Sequence, residues 1–213
     1  MKKLLYFLFV AVAFMNSGCF SFSNLQSAKT LGKGESEFGV SVGYIGFVDG
    51  SLNGTFPVPT FEFQGKYGVS EKVDIGLKFS NIGISVASLK YQFSGDQSSK
   101  FAAATGLGLG GTLVGFNLGD AGNLRFFQVE VPLHLSYHPT DKFALYFSPK
   151  YFGIGGAIAN DAGMSHLLFL SPGLEFGKRF KFGAEFNIGA PLNDFGLSSG
   201  LITQFGLGFK VIF

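Results

Sequence analysis

The chain has 213 residues, enough for one domain, with 32 glycines, 28 phenylalanines and no tryptophan. Only 14% of residues are charged and the mean hydropathy is +0.33, yet no internal stretch of 18 apolar residues exists, which excludes a membrane-spanning helix beyond the N-terminus. The formal charge of +2 comes from Lys2 and Lys3 alone, and the balanced remainder has no basic field to attract nucleic acid.

Met1-Lys2-Lys3 is a positive n-region, and Leu4 to Met15 is an apolar h-region of 12 residues, the form of a secretory signal. The Asn16-Ser17-Gly18-Cys19 junction resembles a bacterial lipobox, with small residues before the cysteine and Asn16 where the family prefers an aliphatic residue. Cys19 is the sole cysteine, so no internal disulfide exists. Either Cys19 is lipidated as the mature N-terminus, or an ordinary signal peptidase cuts nearby. On the first reading residues 1–18 are a lipoprotein signal peptide, 19–35 a lipidated periplasmic tether and 36–213 a barrel domain. Phe20 to Glu35 shows no clear period, which suits a tether.

Ten segments then alternate with a period of two, as strands with one apolar face do. Strand one, about 36–47, puts Phe38, Val40, Val42 and Tyr44 on one side. Strand two, 59–69, puts Phe61, Phe63, Tyr67 and Val69 there. Strand three, 73–80, alternates Val73, Ile75, Leu77 and Phe79 with Asp74, Gly76, Lys78 and Ser80. Strand four covers 84–93, and a weaker strand five covers 100–110. Strand six, 124–137, sets Val129, Val131, Leu133 and Leu135 against Gln128, Glu130, His134 and Ser136. A turn at 138–142 contains Pro139, which cannot extend a ladder. Strand seven covers 143–152, a loop 153–166, strand eight 167–177, strand nine 180–189 and strand ten 201–213.

Connections after the even strands are tight, and four of the five after odd strands are longer. Short turns on one side, longer loops on the other and an even strand count describe a transmembrane up-and-down antiparallel β-barrel with both barrel termini in the periplasm. A lipid on Cys19 would then lie in the inner leaflet of the outer membrane. The competing soluble barrel or sandwich would need to wet a polar face crowded with glycine.

Gly208-x-x-Val211-x-Phe213 resembles the terminal signal read by the bacterial barrel-assembly machinery. Ala28 to Glu35, Val73 to Lys78, Leu89 to Phe93 and Tyr137 to Lys142 are similar to stretches of small, uncharacterised bacterial outer-membrane barrel proteins. The resemblance implies a fold, an outer-membrane location, and lipid, lipopolysaccharide and the assembly machinery as partners. It implies no activity.

On the assigned parity the lumen receives Lys66, Lys78, Lys90, Lys150, Lys181 and Lys210, together with Glu37, Glu62, Asp74, Glu130, Glu175 and Glu185. Six charges of each sign can pair across a narrow barrel, while inward glycines leave room for water. A wet but obstructed interior is expected.

Chemistry has one candidate, His134-x-Ser136, two residues on one strand face where an imidazole can activate a hydroxyl. The outer-membrane lipid A deacylase family uses such a pair at the lipid surface, whereas the parity here is inward. His134, His138 and His166 have no metal-ligand spacing, Asp120, Asp161 and Asp194 fall in outer loops, and no cofactor motif occurs. Arg125 has outward parity at a strand end, placed to reach lipopolysaccharide phosphates or simply solvent. A non-enzymatic structural or surface barrel, or a narrow obstructed pore, is the leading expectation. The others are a lipid-modifying hydrolase and a protein binding through its outer loops.

Overall fold

A computed structural model describes residues 21–48, 58–81, 84–112, 116–117, 123–158, 161–192 and 200–213. The strands are β1 (Ser36–Val48), β2 (Val58–Ser70), β3 (Val73–Ser80), β4 (Ile84–Ser94), β5 (Phe101–Thr112), β6 (Phe116–Asn117), β7 (Asn123–Thr140), β8 (Phe143–Ile158), β9 (Asp161–Gly177), β10 (Phe180–Pro191) and β11 (Leu201–Ile212). Each wall strand pairs antiparallel with its neighbours, β5 pairs with β7, and β1 pairs with β11. The result is a closed up-and-down barrel of ten strands, with β6 a two-residue addition that folds back on the start of β7. Closure removes every free edge, which is how a sheet satisfies its backbone inside a membrane.

The period of two does its work as expected. Phe38, Val42, Phe63, Leu77, Leu89, Leu109, Val131, Phe182 and Phe209 are all exposed on the outside. Their neighbours in sequence, including Glu62, Asp74, Lys90, Glu130, Lys150, Glu185 and Lys210, are buried inside. This is the reverse of a soluble barrel, and it excludes the sandwich alternative.

Two local expectations are overturned. Residues 153–166 do not form a loop: β8 and β9 run on as a ladder through Gly153↔His166, Gly155↔Met164 and Ala157↔Ala162, leaving only residues 159–160 between them. The run Gly153-Ile154-Gly155-Gly156 reads as a breaker in sequence. In the fold the bare Gly155 is where the Phe127 ring packs, so glycine there serves packing rather than a turn. The contrast between short and long connections is correspondingly weaker than expected. Likewise His138-Pro139-Thr140 belongs to β7 and the turn is only Asp141-Lys142. Pro139 is tolerated because the ladder shifts register between Tyr137 and Thr140, where no ladder N–H is required of it.

The wall is uneven. Strands β7, β8 and β9 have 18, 16 and 17 residues, whereas β3 has 8 and β4 has 11. All of this excess length lies at the end of the barrel away from the tight turns at 71–72, 141–142 and 178–179.

Candidate functional site: a lumen filled by the N-terminal segment

Residues 21–34, expected to be a tether outside the barrel, run through the lumen. Ser21, Phe22, Ser23, Asn24, Leu25, Ser27, Ala28, Thr30 and Leu31 are all buried there. The segment adopts no strand, and among the described residues its backbone bonds the wall's own backbone only at its C-terminal end. There Gly34 N donates to Gly68 O and Gly68 N donates to Glu35 O, beside the β2–β3 turn. A Cβ at Gly68 would run into the Gly32 carbonyl, so this close approach needs glycine.

Elsewhere the wall's side chains bind the segment's main chain. Phe22 N donates to Gln204 Oε1 at 2.8 Å, and Thr30 N to Gln92 Oε1 at 2.9 Å. Asn24 N and Leu25 N donate to the two oxygens of Glu185, both at 3.1 Å. Ala28 N donates to Ser136 Oγ at 3.2 Å and Leu31 N to Asp74 Oδ1 at 2.9 Å. The carbonyls are met by cations and an amide. Lys150 reaches Phe22 O at 3.1 Å, Lys78 Ser23 O at 3.2 Å and Lys90 Lys29 O at 2.7 Å. Lys210 donates to Leu25 O, and Gln97 to Thr30 O at 2.7 Å. Leu25 has φ of 44°, a costly conformation for a residue with a side chain. It turns two successive N–H groups onto one carboxylate, the concave anion-binding arrangement that consecutive amides make.

Ion pairs hold these side chains in place. Lys150 and Glu185, both fully buried, are 2.7 Å apart. Lys66 lies 3.2 Å from Glu37, Lys90 3.2 Å from Asp74, and Lys78 3.7 Å from Glu130. Lys210 and, at 3.8 Å, Lys181 share Glu175. Glu62 accepts from Ser41 Oγ at 3.0 Å. A buried charge is stable only when paired and hydrogen-bonded. Here the second partner of most cations is the threaded segment, so charge pairing and threading are one network.

Apolar contacts fix the segment's register. Phe22 stacks on Phe169 with centroids 4.2 Å apart and meets Phe152 edge-on at 5.2 Å, in a cluster with Ile45, Leu167 and Ile202. Ala28 packs on Ala102 and Ala104 and is fully buried. At Gly208 an added Cβ would lie 2.7 Å from Leu25 Cδ1. The inward glycine there makes space for the segment rather than for water.

The other sequence-predicted residues are placed as follows. His134 and Ser136 do not form a pair: His134 Nδ1 meets Ser148 Oγ at 2.8 Å and its Nε2 meets Gln26, while Ser136 meets His138 Nε2 at 2.9 Å. His134 is wholly buried under the segment, away from lipid. Among the described residues no group of three His, Cys, Asp or Glu side chains is arranged to hold a metal. Gly208 and Val211 lie in β11, and Phe213, 75% exposed, exchanges backbone hydrogen bonds with Ser36 at the seam. Cys19, Asp120 and Asp194, and the side chains of Arg125 and Asp161, lie outside the described residues.

A closed antiparallel barrel with an apolar outside and a polar, ion-paired inside defines a small outer-membrane β-barrel protein. No family model matches the chain, and no curated protein sequence matches it. Among solved structures it is similar to the attachment invasion locus protein Ail of Yersinia pestis, at 12% identity over 85% of this chain and 99% of that one, with a TM-score of 0.41. It is similar to Neisserial surface protein A at 6% identity over 84% and 99%, TM-score 0.42. An outer membrane channel from Pseudomonas putida F1 matches at 9% identity over 90% and 100%, TM-score 0.46. These likenesses concern the architecture of the wall alone.

Proposed function

We propose that this protein is a non-enzymatic outer-membrane barrel closed at rest by its own N-terminal segment, a structural or surface barrel whose pore is occupied. The observation that supports this is the run of residues 21–34 through the lumen, bonded along its length to wall side chains. Main chain and paired charges occupy a barrel only slightly wider than eight strands, which leaves little room for water and ions. A hydrolase role for His134 and Ser136 is disfavoured because each is bonded to a different partner beneath the segment. Conductance of the refolded chain in a planar bilayer tests the reading. The wild type should be silent, or leak in small unsteady steps without strong ion selectivity. Removing residues 21–31 should open a steady conductance. A large, stable wild-type conductance would overturn the closed state.

The same reading bears on sidedness. With the long connections at 49–57, 113–122 and 193–199 outside the cell, the tight turns face the periplasm and Ser21 faces the cell surface. On this reading a lipid on Cys19 is expected on the cell-surface side and not in the inner leaflet, because Ser21 lies in the half of the lumen away from the tight turns. Radioactive fatty acid should label the wild type and not Cys19→Ser, and protease added to intact cells should release the label. Label protected until the cells are opened would place that end in the periplasm.

A further inference from the structure

The lumen treats its resident segment as a peptide receptor treats a ligand. Six backbone N–H groups and five carbonyls between residues 22 and 31 are each bound by a side chain of the barrel, ten from wall strands and one, by Gln97, from the connection at 95–100. Those bonds take no account of which side chains the segment carries. Packing depends on sequence at Phe22 in its aromatic cluster, at Leu25 against Gly208 and at Ala28 against Ala102 and Ala104. Among the polar side chains, Gln26 accepts from Lys66 at 2.8 Å and meets His134, Asn24 Oδ1 accepts from Lys78 at 3.2 Å and Thr30 Oγ1 donates to Glu71 O at 2.7 Å, so the free positions are fewer. Ser23 Oγ and Asn24 Nδ2 are buried with no hydrogen-bond partner. Main-chain bonds that supply affinity, with a few pockets that supply selectivity, are the logic of extended-peptide recognition.

We propose that the lumen is a binding site for extended polypeptide. In place of residues 22–31 it accepts a stretch of another chain that carries an aromatic residue and, six positions on, a small one. The inference rests on the closed-lumen reading and adds that the closing segment is exchangeable. Lys33, Gly34 and Glu35 are exposed at the turn end, so the link between segment and barrel can be cut without entering the lumen.

The test uses the full chain, folded first, with a protease recognition sequence inserted between Lys33 and Gly34. After cleavage the freed segment should stay bound and co-purify. Excess fluorescent peptide of sequence 21–33 should replace it, giving a polarisation signal that rises with time. A peptide changed at Ser23 and Ser27 but keeping the aromatic and the alanine should bind within about threefold of the native sequence. A peptide N-methylated at the positions of Asn24 and Leu25 loses two bonds to a carboxylate and should bind at least about tenfold more weakly. The Phe22→Ala peptide should also bind at least about tenfold more weakly. If exchange of the wild-type segment is slow, a barrel folded with Phe22→Ala in its own segment gives a faster-leaving occupant for the same competition. A segment that stays bound and never exchanges, even in that variant, would overturn the peptide site while leaving the closed lumen intact. So would exchange that accepts the native sequence alone. Loss of the segment on cleavage, with no peptide rebinding, would overturn both.

Discussion

The two faces of the wall obey different rules, and β7 shows both. Outward, Val131, Leu133 and Leu135 are exposed. Inward, Gln128 donates to Glu130, Glu130 pairs with Lys78, and His134 meets Ser148 and Gln26. The outer face needs only to be apolar, because lipid is a solvent and not a partner. The inner face needs particular groups at particular places, because a polar atom buried there costs free energy until it finds its complement. Volume changes outside should therefore be tolerated and polarity changes punished, while inside even an isosteric change removes a specific bond.

The largest effect is expected inside. Glu185→Ala leaves Lys150 fully buried without its carboxylate and frees the Asn24 and Leu25 amides. Breaking a buried pair of this kind costs about 3–5 kcal/mol. Denaturant unfolding of the refolded barrel should show it. A loss near zero would mean that the interior is loosely hydrated and the two faces are less distinct than argued.

Next comes the outer face. Val131, 41% exposed at mid-strand, should cost about 2–4 kcal/mol as Val131→Arg, as a charge does near the bilayer midplane. Val131→Leu should be close to neutral in the same assay. Equal costs for the two would remove lipid from the account of that face.

The smallest effect lies beyond both faces, in the turn at 95–100. The Asp96 carboxylate accepts from the hydroxyls of Ser98 at 2.7 Å and Ser99 at 2.9 Å, and from both backbone amides at 2.8 Å. These bonds hold its pKa down to about 2 from an ordinary 3.8. A depressed carboxylate contributes stability above its ordinary pKa and loses it as pH falls towards the folded value. Asp96→Asn should therefore be slightly less stable than wild type at neutral pH and indistinguishable from it near pH 2. A difference that persists at pH 2 would trace to the turn's shape and not to its charge.

Most of the wall was legible from periodicity. The alternation of Val73-Asp74-Ile75-Gly76-Leu77-Lys78 has one solution as a half-buried strand, and β3 occupies the residues read for it. The glycine run at 153–156 was not legible, since what makes it a strand is Phe127 on a neighbouring strand. The threaded segment was hidden for a similar reason. It has no period of its own, because its bonds come from side chains on seven of the wall strands and the connection at 95–100. Traces of it were present all the same. Ile45, Phe152, Phe169 and Ile202 are apolar at inward positions, which an open aqueous lumen does not explain. Phe22, Leu25 and Leu31 in a supposed tether are the complement to that anomaly.

Threading also constrains the order in which the molecule can be made. The seam pairs Glu37 with Ile212, so the wall closes only when its last strand arrives. By then residues 21–34 must already lie inside, or else pass N-terminus first through a finished ring. The first route is favoured by the charges: a closing wall without the segment would bury lysine and glutamate side chains short of partners, whereas a wall that gathers around it satisfies each as it arrives. On that route the N-terminal segment is the template of the barrel. It takes the place that a hydrophobic core holds in a soluble protein, and the slow step of folding is a single long-range closure around it.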